Sequence, residues 1–513
     1  MKKLIAACVA VLMAASGMAQ TLNDAYNLSS VTYGSTARSA AMGGAFGALG
    51  ADFSSISINP AGLGVYRGGE FTFTPNFYLN SSSSDYLGTV SDDKKVGLNF
   101  NNLGLVFATP TLKDQGVMSV NFAIGYNRLK DFHRVSYTQG NNSLNSQLTY
   151  YAHDLAAYGE QNSLWSSYLA YQGWLVDKYT NTDNQVVYES ILLSDTKVDQ
   201  TQSVFEKGKL DEWNFAMALN INHKVYVGAS FGIRDVYYRK ELMYKEAFGI
   251  TPNGSYSQWD DASQSYIFYD NGGFVSNDYL TTSGYGFNGK LGVIAKPVDA
   301  LRLGVSIHTP TYYVLEDNYS YSIDPDVLHP VGADDVRPDI QNSDDLSYKY
   351  VIYSSPLNLE FSMAYVFGKY GVFSLDYGIS DYGGMTIHER GSSTGTFINT
   401  NQMISDVMNT GTSLRAGLEL KASPNFSLRG GFARYSSPLN TTKADSYSFD
   451  KAGALNQYSA GFGYRDNDFF IDFAYVLQNQ NVESSLFILD NSAPTAMTKY
   501  NSNKVMMTVG FRF

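Results

Sequence analysis

The chain has 513 residues, with 40 Tyr, 46 Gly, only 16% charged residues and a formal net charge of −12. That negative balance argues against a nucleic-acid partner, and the Tyr-rich, weakly charged composition suits a barrel with aromatic girdles at two membrane interfaces better than a soluble enzyme. Beyond the N-terminus no uncharged apolar run reaches about 18 residues, which excludes a helical membrane protein.

Met1-Lys2-Lys3, the apolar stretch Leu4 to Ala15 and the small residues Gly17 and Ala19 read as an export signal over residues 1–19, cleaved before Gln20. Cys8, the only cysteine, lies inside that apolar stretch and not at its cleavage site, which rules out a lipoprotein and leaves the mature chain without thiol chemistry.

Residues 20–69 show no alternation. They carry small-residue runs, Arg38 to Gly50 and Asp52 to Gly64, whose Gly and Ala density permits short helices and close backbone packing. Met42, Phe46, Leu49, Phe53, Ile56 and Ile58 offer more apolar surface than a linker needs, so the segment is expected to pack. Pro60 fixes a bend and the Asn59 side chain can bond nearby backbone. The alternative is a simple loop or cap before the first strand.

From residue 70 onward, fourteen strands are predicted: 70–82, 98–109, 117–132, 211–223, 224–246, 280–296, 300–322, 346–368, 370–388, 411–423, 425–437, 456–466, 468–486 and 503–513. Several show clean period-two alternation. Trp213, Phe215, Met217, Leu219 and Ile221 share one face, against Asn214, Ala216, Ala218 and Asn220. Leu357, Leu359, Phe361 and Met363 oppose Asn358, Glu360 and Ser362, and Leu414, Leu418 and Leu420 oppose Arg415, Gly417 and Glu419. A half-buried sandwich strand gives the same local pattern. The connections decide between them. Short turns around Thr111 to Gly116, His223, Pro297 to Ala300, Lys369, Pro424 and Asn467 alternate with long excursions, the longest from His133 to Leu210 and others near Gly249 to Asp278, Asp324 to Asp345 and Gly391 to Thr410. A membrane barrel with periplasmic turns and extracellular loops requires that alternation, whereas a soluble sandwich does not.

Two internal features stand out. In the third strand Met118, Val120, Phe122, Ile124 and Tyr126 alternate, but the phase breaks at Asn127 and Arg128, which reads either as a kink or as a strand end at the rim. The longest excursion contains a helix-like stretch, His153 to Val176, with Leu155, Tyr158, Trp165, Leu169 and Trp174 on roughly one side. These could build a ligand-capture groove or only pack on neighbouring loops. The chain closes with Val505, Met507, Val509, Phe511 and Phe513 on one face.

The run of Arg38, Ala41-Met42-Gly43-Gly44-Ala45, Asp52 with Ser54-Ser55, and Asn59-Pro60-Ala61-Gly62-Leu63, followed by a fourteen-strand pattern, resembles the FadL and TodX family of outer-membrane channels for hydrophobic compounds. The resemblance spans the mature chain, and the hatch motif is its specific part. It implies an all-β fold, a 14-stranded antiparallel transmembrane barrel (70–513), plugged by a small hatch of short helices (20–69) in which Arg38 and Asn59 to Leu63 take part. It implies passive uptake of long-chain fatty acids, aromatic hydrocarbons or similar molecules by loop capture, hatch gating and lateral exit at a third-strand kink. The terminal Phe513 looks like the strand signal read by the barrel-assembly machinery.

Lys290, Arg302, Glu360, Asp376, Arg415, Glu419, Arg429, Arg465 and Asp472 are expected to point inward, where they hold water or dock the hatch. The six histidines are scattered, with no nucleophile elbow or metal spacing, so no enzyme, metal or cofactor is expected. The expected partners are a hydrophobic substrate and the lipid and lipopolysaccharide of the outer membrane, around a monomer. A hydrophilic-solute porin and a surface adhesin are the rival readings.

Overall fold

The wall begins at Glu70 and returns to itself: the first strand pairs with the second on one side and with the last on the other, Glu70 facing Arg512 and Phe73 facing Val509. The computed structural model describes residues 25–513 apart from 112, 261, 332–333, 354–355, 390–396, 441–442, 444–448 and 488–492, so the expected leader lies outside the described residues.

Fourteen antiparallel strands close the barrel. They are β1 (Glu70–Tyr86), β2 (Thr89–Pro110), β3 (Val117–Asp131, continued by Arg134–Ser143), β4 (Val198–Ile221), β5 (Val225–Phe248), β6 (Gly273–Val298), β7 (Leu301–His308 and Tyr312–Asp326) and β8 (Leu346–Tyr353 and Asn358–Val366). The circuit continues with β9 (Gly371–Asp381 and Thr386–Glu389), β10 (Thr410–Lys421), β11 (Phe426–Tyr435), β12 (Leu455–Asp466), β13 (Phe469–Ser485) and β14 (Thr495–Arg512).

Alternation sets the two faces. On β4, Trp213, Phe215 and Met217 are more than 40% exposed on the outside, while Asn214, Ala216 and Ala218 are buried toward the lumen. Phe361 and Leu414 likewise face out, and Glu360 and Arg415 face in. The outer surface is therefore apolar and the inner one polar, the reverse of a soluble barrel.

The structure corrects several expected boundaries. β4 starts at Val198 and β6 at Gly273, so part of the expected excursions is strand. The stretch around Val198 to Leu210 is polar on both faces because it projects past the apolar band, and a search for alternating hydrophobicity passes over it. β1 and β2 likewise extend to a two-residue turn, Leu87-Gly88, both at positive φ, in place of a long loop. β7 breaks at Pro310, which has no N–H to give a ladder, and β9 breaks at a 3-10 turn, Tyr382–Gly384. The helix-like stretch is two helices, α2 (Gln147–Tyr158) and α3 (Trp165–Gln172), parted at Gly159, which takes φ 71°.

Residues 25–69 lie inside the circuit. A helical turn at 25–29 precedes α1 (Ala37–Ala41) and two 3-10 turns, Phe53–Ser57 and Pro60–Val65. Ala37, Met42, Phe46, Ile56, Ile58 and Leu63 are at or near zero exposure. Their neighbours come from opposite sides of the wall: Ala474, Val476 and Met506 around α1, and Ala216, Ala218 and Val106 around Phe53 and Leu63.

Candidate functional site

α1 and the two 3-10 turns each start from a side-chain cap. Thr36 accepts the Ser39 N–H and donates to Asp52 at 2.7 Å; Asp52 accepts the Ser54 N–H at 3.0 Å; Asn59 Oδ1 accepts the Ala61 N–H at 3.1 Å. These contacts satisfy backbone donors that have no partner at the start of a short helix. Asn59 also ties the segment to the wall, donating through Nδ2 to the carbonyls of Gly47 (2.8 Å) and Val293 (3.3 Å). Glycines in the wall make room for this motif. A Cβ at Gly292 would stand 1.9 Å from Asn59 Oδ1, and one at Gly228 would stand 2.4 Å from the Pro60 carbonyl. Leu63 fills the space between β3 and β4, and its carbonyl accepts from Asn121 at 2.8 Å.

The inward charges hold the segment. Arg38 pairs with Glu419 at 2.9 Å, and Glu419 shares Arg429 (2.7 Å), which reaches Asp472 at 2.6 Å. Arg415, fully buried, bridges Glu360 at 2.7 Å and Asp376 at 3.4 Å and lies 4.6 Å from the ring centre of Tyr33. Asp376 accepts the Gly47 N–H at 2.9 Å, and Arg302 donates to the Leu49 carbonyl at 2.5 Å. Lys290 binds Glu212 at 2.5 Å, and Arg234 binds the same carboxylate at 3.0 Å. Glu212 and Arg234 were not singled out in the sequence; carrying the β4 alternation one step back from Asn214 assigns Glu212 to the lumen.

The wall ladder is interrupted between β2 and β3. β2 pairs with β3 only from Pro110–Ser119 to Asn102–Asn127. Beyond Asn127 the third strand bulges between Arg128 and Lys130, and its continuation, Arg134–Ser143, pairs with β4 alone. The half of β2 before Asn102 therefore has no ladder on its β3 side. Side chains span the gap instead: Asn99 donates to Asp131, Asn80 donates to the His133 carbonyl, and Lys95 sits 3.5 Å over the Phe205 ring. Arg128 is held by Asp211 at 2.9 Å. The phase break read at Asn127 and Arg128 coincides with the end of this ladder.

Behind the gap is space. A cavity of about 210 Å³ lies above the N-terminal segment, between Tyr26 to Thr32, the third-strand break and the inner faces of β13 and β14. A second cavity of about 40 Å³ reaches Asn101 and Arg128 at the gap, and the two share Thr32, Lys130, Asp131, Gln478 and Lys504. The Lys130 ammonium donates to the Asn27 carbonyl (2.8 Å) and Ser30 Oγ (2.7 Å), and that of Lys504 to Gln478 at 3.0 Å. Neither has a carboxylate within 4 Å among the described residues, so both ammonium groups face the cavity without a direct ion pair, with Asp131 lining the same junction.

At the other expected site, Leu155 and Leu169 are buried in a cluster with Tyr151, Tyr244 and Phe274 that fixes α2 and α3 to the long strands. Tyr158 remains 58% exposed, and Trp165 and Trp174 are half-buried. Trp174 packs 4.6 Å from the His329 ring. The structure thus splits the five residues into core and surface and does not bring them into one groove.

No protein-family model matches this sequence, and no curated protein matches it. Solved structures do share its fold. The Pseudomonas putida toluene transporter TodX superposes with a TM-score of 0.50 at 14% identity, covering 94% of this chain and 99% of that one. A deltaS2 mutant of the TodX monoaromatic hydrocarbon channel gives 0.50 at 13% identity, over 93% and 98%. A Pseudomonas aeruginosa FadL homologue gives 0.49 at 12% identity, over 94% and 99%.

Proposed function

We propose that this chain is a FadL-type channel of the Gram-negative outer membrane that admits hydrophobic small molecules passively and without catalysis. The observation that carries the reading is the interrupted β2–β3 ladder beside a lumen cavity, above a segment clamped by ion pairs. A hydrophilic porin needs an open lumen, and an adhesin needs neither a cavity nor a break in its wall. The apolar outer face fits a lipid surround, and the fold shared with a toluene transporter points to the same class of cargo.

In this reading the exposed ring of Tyr158 and the half-buried rings of Trp165 and Trp174 at the long-loop end take part in capture, with Leu155 and Leu169 holding the helices in place. Cargo enters the 210 Å³ cavity, where Lys130 and Lys504 suit the polar head of an amphiphile such as a fatty acid. The hatch, held by Arg38 and by Asn59 to Leu63 with its Pro60, Ala61 and Gly62 backbone against Gly228, keeps water-soluble solutes out. Exit is lateral, through the gap edged by Asn127, Arg128 and Asp131. There the cargo moves into lipid without crossing the charged lower lumen.

The test uses the absence of cysteine from the mature chain. Asn99→Cys and Asp131→Cys, on facing edges of the gap, are joined by a short cleavable bis-maleimide in liposome-embedded protein. Fatty-acid uptake is expected to fall to about a tenth or less and to recover on cleavage, as for a closed gate. Uptake unchanged by the cross-link would rule out lateral exit.

A further inference from the structure

Two hairpins stand on the long-loop end, away from the lumen path: Val176–Thr180 with Val186–Ser190, and Tyr256–Asp260 with Ser265–Tyr269. They are joined by the bridge Leu192–Tyr256 and by the Ser257 N–H donating to the Ile191 carbonyl at 3.0 Å. The second hairpin has two unlike faces. Tyr256 and Gln258 are buried against the loops below, whereas Trp259, Tyr266 and Phe268 are 38%, 44% and 57% exposed on the other side. Trp259 and Tyr266 face each other across the strands, edge to face at 5.2 Å.

The first hairpin adds a third kind of group. Asp177 lies directly opposite Glu189, and Tyr179, also exposed, stands on the same face two residues along the strand. Tyr266 feels the charges of both carboxylates. Like charges in register oppose one another, and no Lys or Arg lies within 4 Å of either among the described residues; Lys178 points to the opposite face and binds Glu160 at 2.6 Å. The surface is thus aromatic faces beside paired, uncompensated carboxylates on an acidic protein.

The geometry points to this surface as a binding site for an organic cation, a quaternary ammonium or guanidinium group seated on the Trp259, Tyr266 and Tyr179 rings and neutralised by Asp177 and Glu189. Ring faces attract such cations most strongly once desolvated. The negative net charge of the chain draws them in, and the same carboxylates repel fatty acids and other anions. The site is independent of the lumen reading. Burial and Glu189 push the Asp177 carboxyl up to about 7, so cation affinity is expected to fall as the pH drops through that value and the charge is lost.

The test is isothermal titration of the mature protein in maltoside micelles with choline, with its uncharged carbon isostere neohexanol, and with a tetra-arginine peptide. Choline or the peptide is expected to bind at least about fivefold more tightly than neohexanol. That preference should disappear both in Asp177→Asn/Glu189→Gln, which keeps shape, and in Trp259→Ala/Tyr266→Ala. Tighter binding of the peptide than of choline places the cation on a protein; the reverse order places it on a small molecule. Equal binding of choline, peptide and neohexanol, no saturable binding, or a preference that survives in both folded variants would overturn the assignment.

Discussion

Arg415→Met is expected to cost about 3–5 kcal/mol, because it leaves Glu360 and Asp376 buried without their shared cation. The guanidinium is at zero exposure, 2.7 Å from one carboxylate and 3.4 Å from the other. Replacing the whole group is a different matter from breaking it. In the triple variant Arg415→Met/Glu360→Gln/Asp376→Asn most of the loss should return, since neutral amides carry a smaller desolvation penalty and the amide oxygen introduced on β9 still offers an acceptor to the Gly47 N–H. Urea unfolding of the refolded barrel in micelles compares the two. A single variant as stable as the parent, or a triple variant no better than the single, would show that these charges do not hold the hatch.

Gly292→Val is expected to free the hatch while sparing the wall. Any Cβ there collides with Asn59 Oδ1, so the side chain must give up the Ala61 N–H and move off the Gly47 and Val293 carbonyls, an overpacking cost of about 1–3 kcal/mol. Valine itself suits a strand, so the ladder to β5 and β7 should persist. Liposomes carrying this variant should leak sucrose where the parent does not, with barrel heat-modifiability intact. A sealed variant would mean that the Asn59 contact is dispensable for closure.

Much of this architecture was legible in the chain because lipid imposes a simple rule on a wall: apolar residues out, small or polar residues in. Where that rule operates, as from Trp213 to Asn220, the reading and the structure agree residue by residue. It fails where strands leave the apolar band, because Val198 to Leu210 no longer faces lipid and loses its alternation. The inward charges were visible for the same reason, but their partners were not. Arg38 with Glu419 is a pair separated by 381 positions, and only the closed circuit of strands brings it together. Lys130 and Lys504 escaped notice because a lysine near a strand end reads as solvated; it is the third-strand bulge that places Lys130 beside the cavity. Leu155 and Leu169 show the converse limit. Helical spacing groups them with Trp165, yet it does not say whether a shared side meets solvent or core.

The central claim is that this barrel passes hydrophobic molecules while its hatch excludes polar ones. Uptake of a labelled long-chain fatty acid and of sucrose into liposomes carrying the purified protein tests it most directly. Saturable fatty-acid entry with sucrose excluded is the result this account predicts. Entry of sucrose through the intact protein, without saturable fatty-acid uptake, would contradict it and mark the chain as a porin for polar solutes.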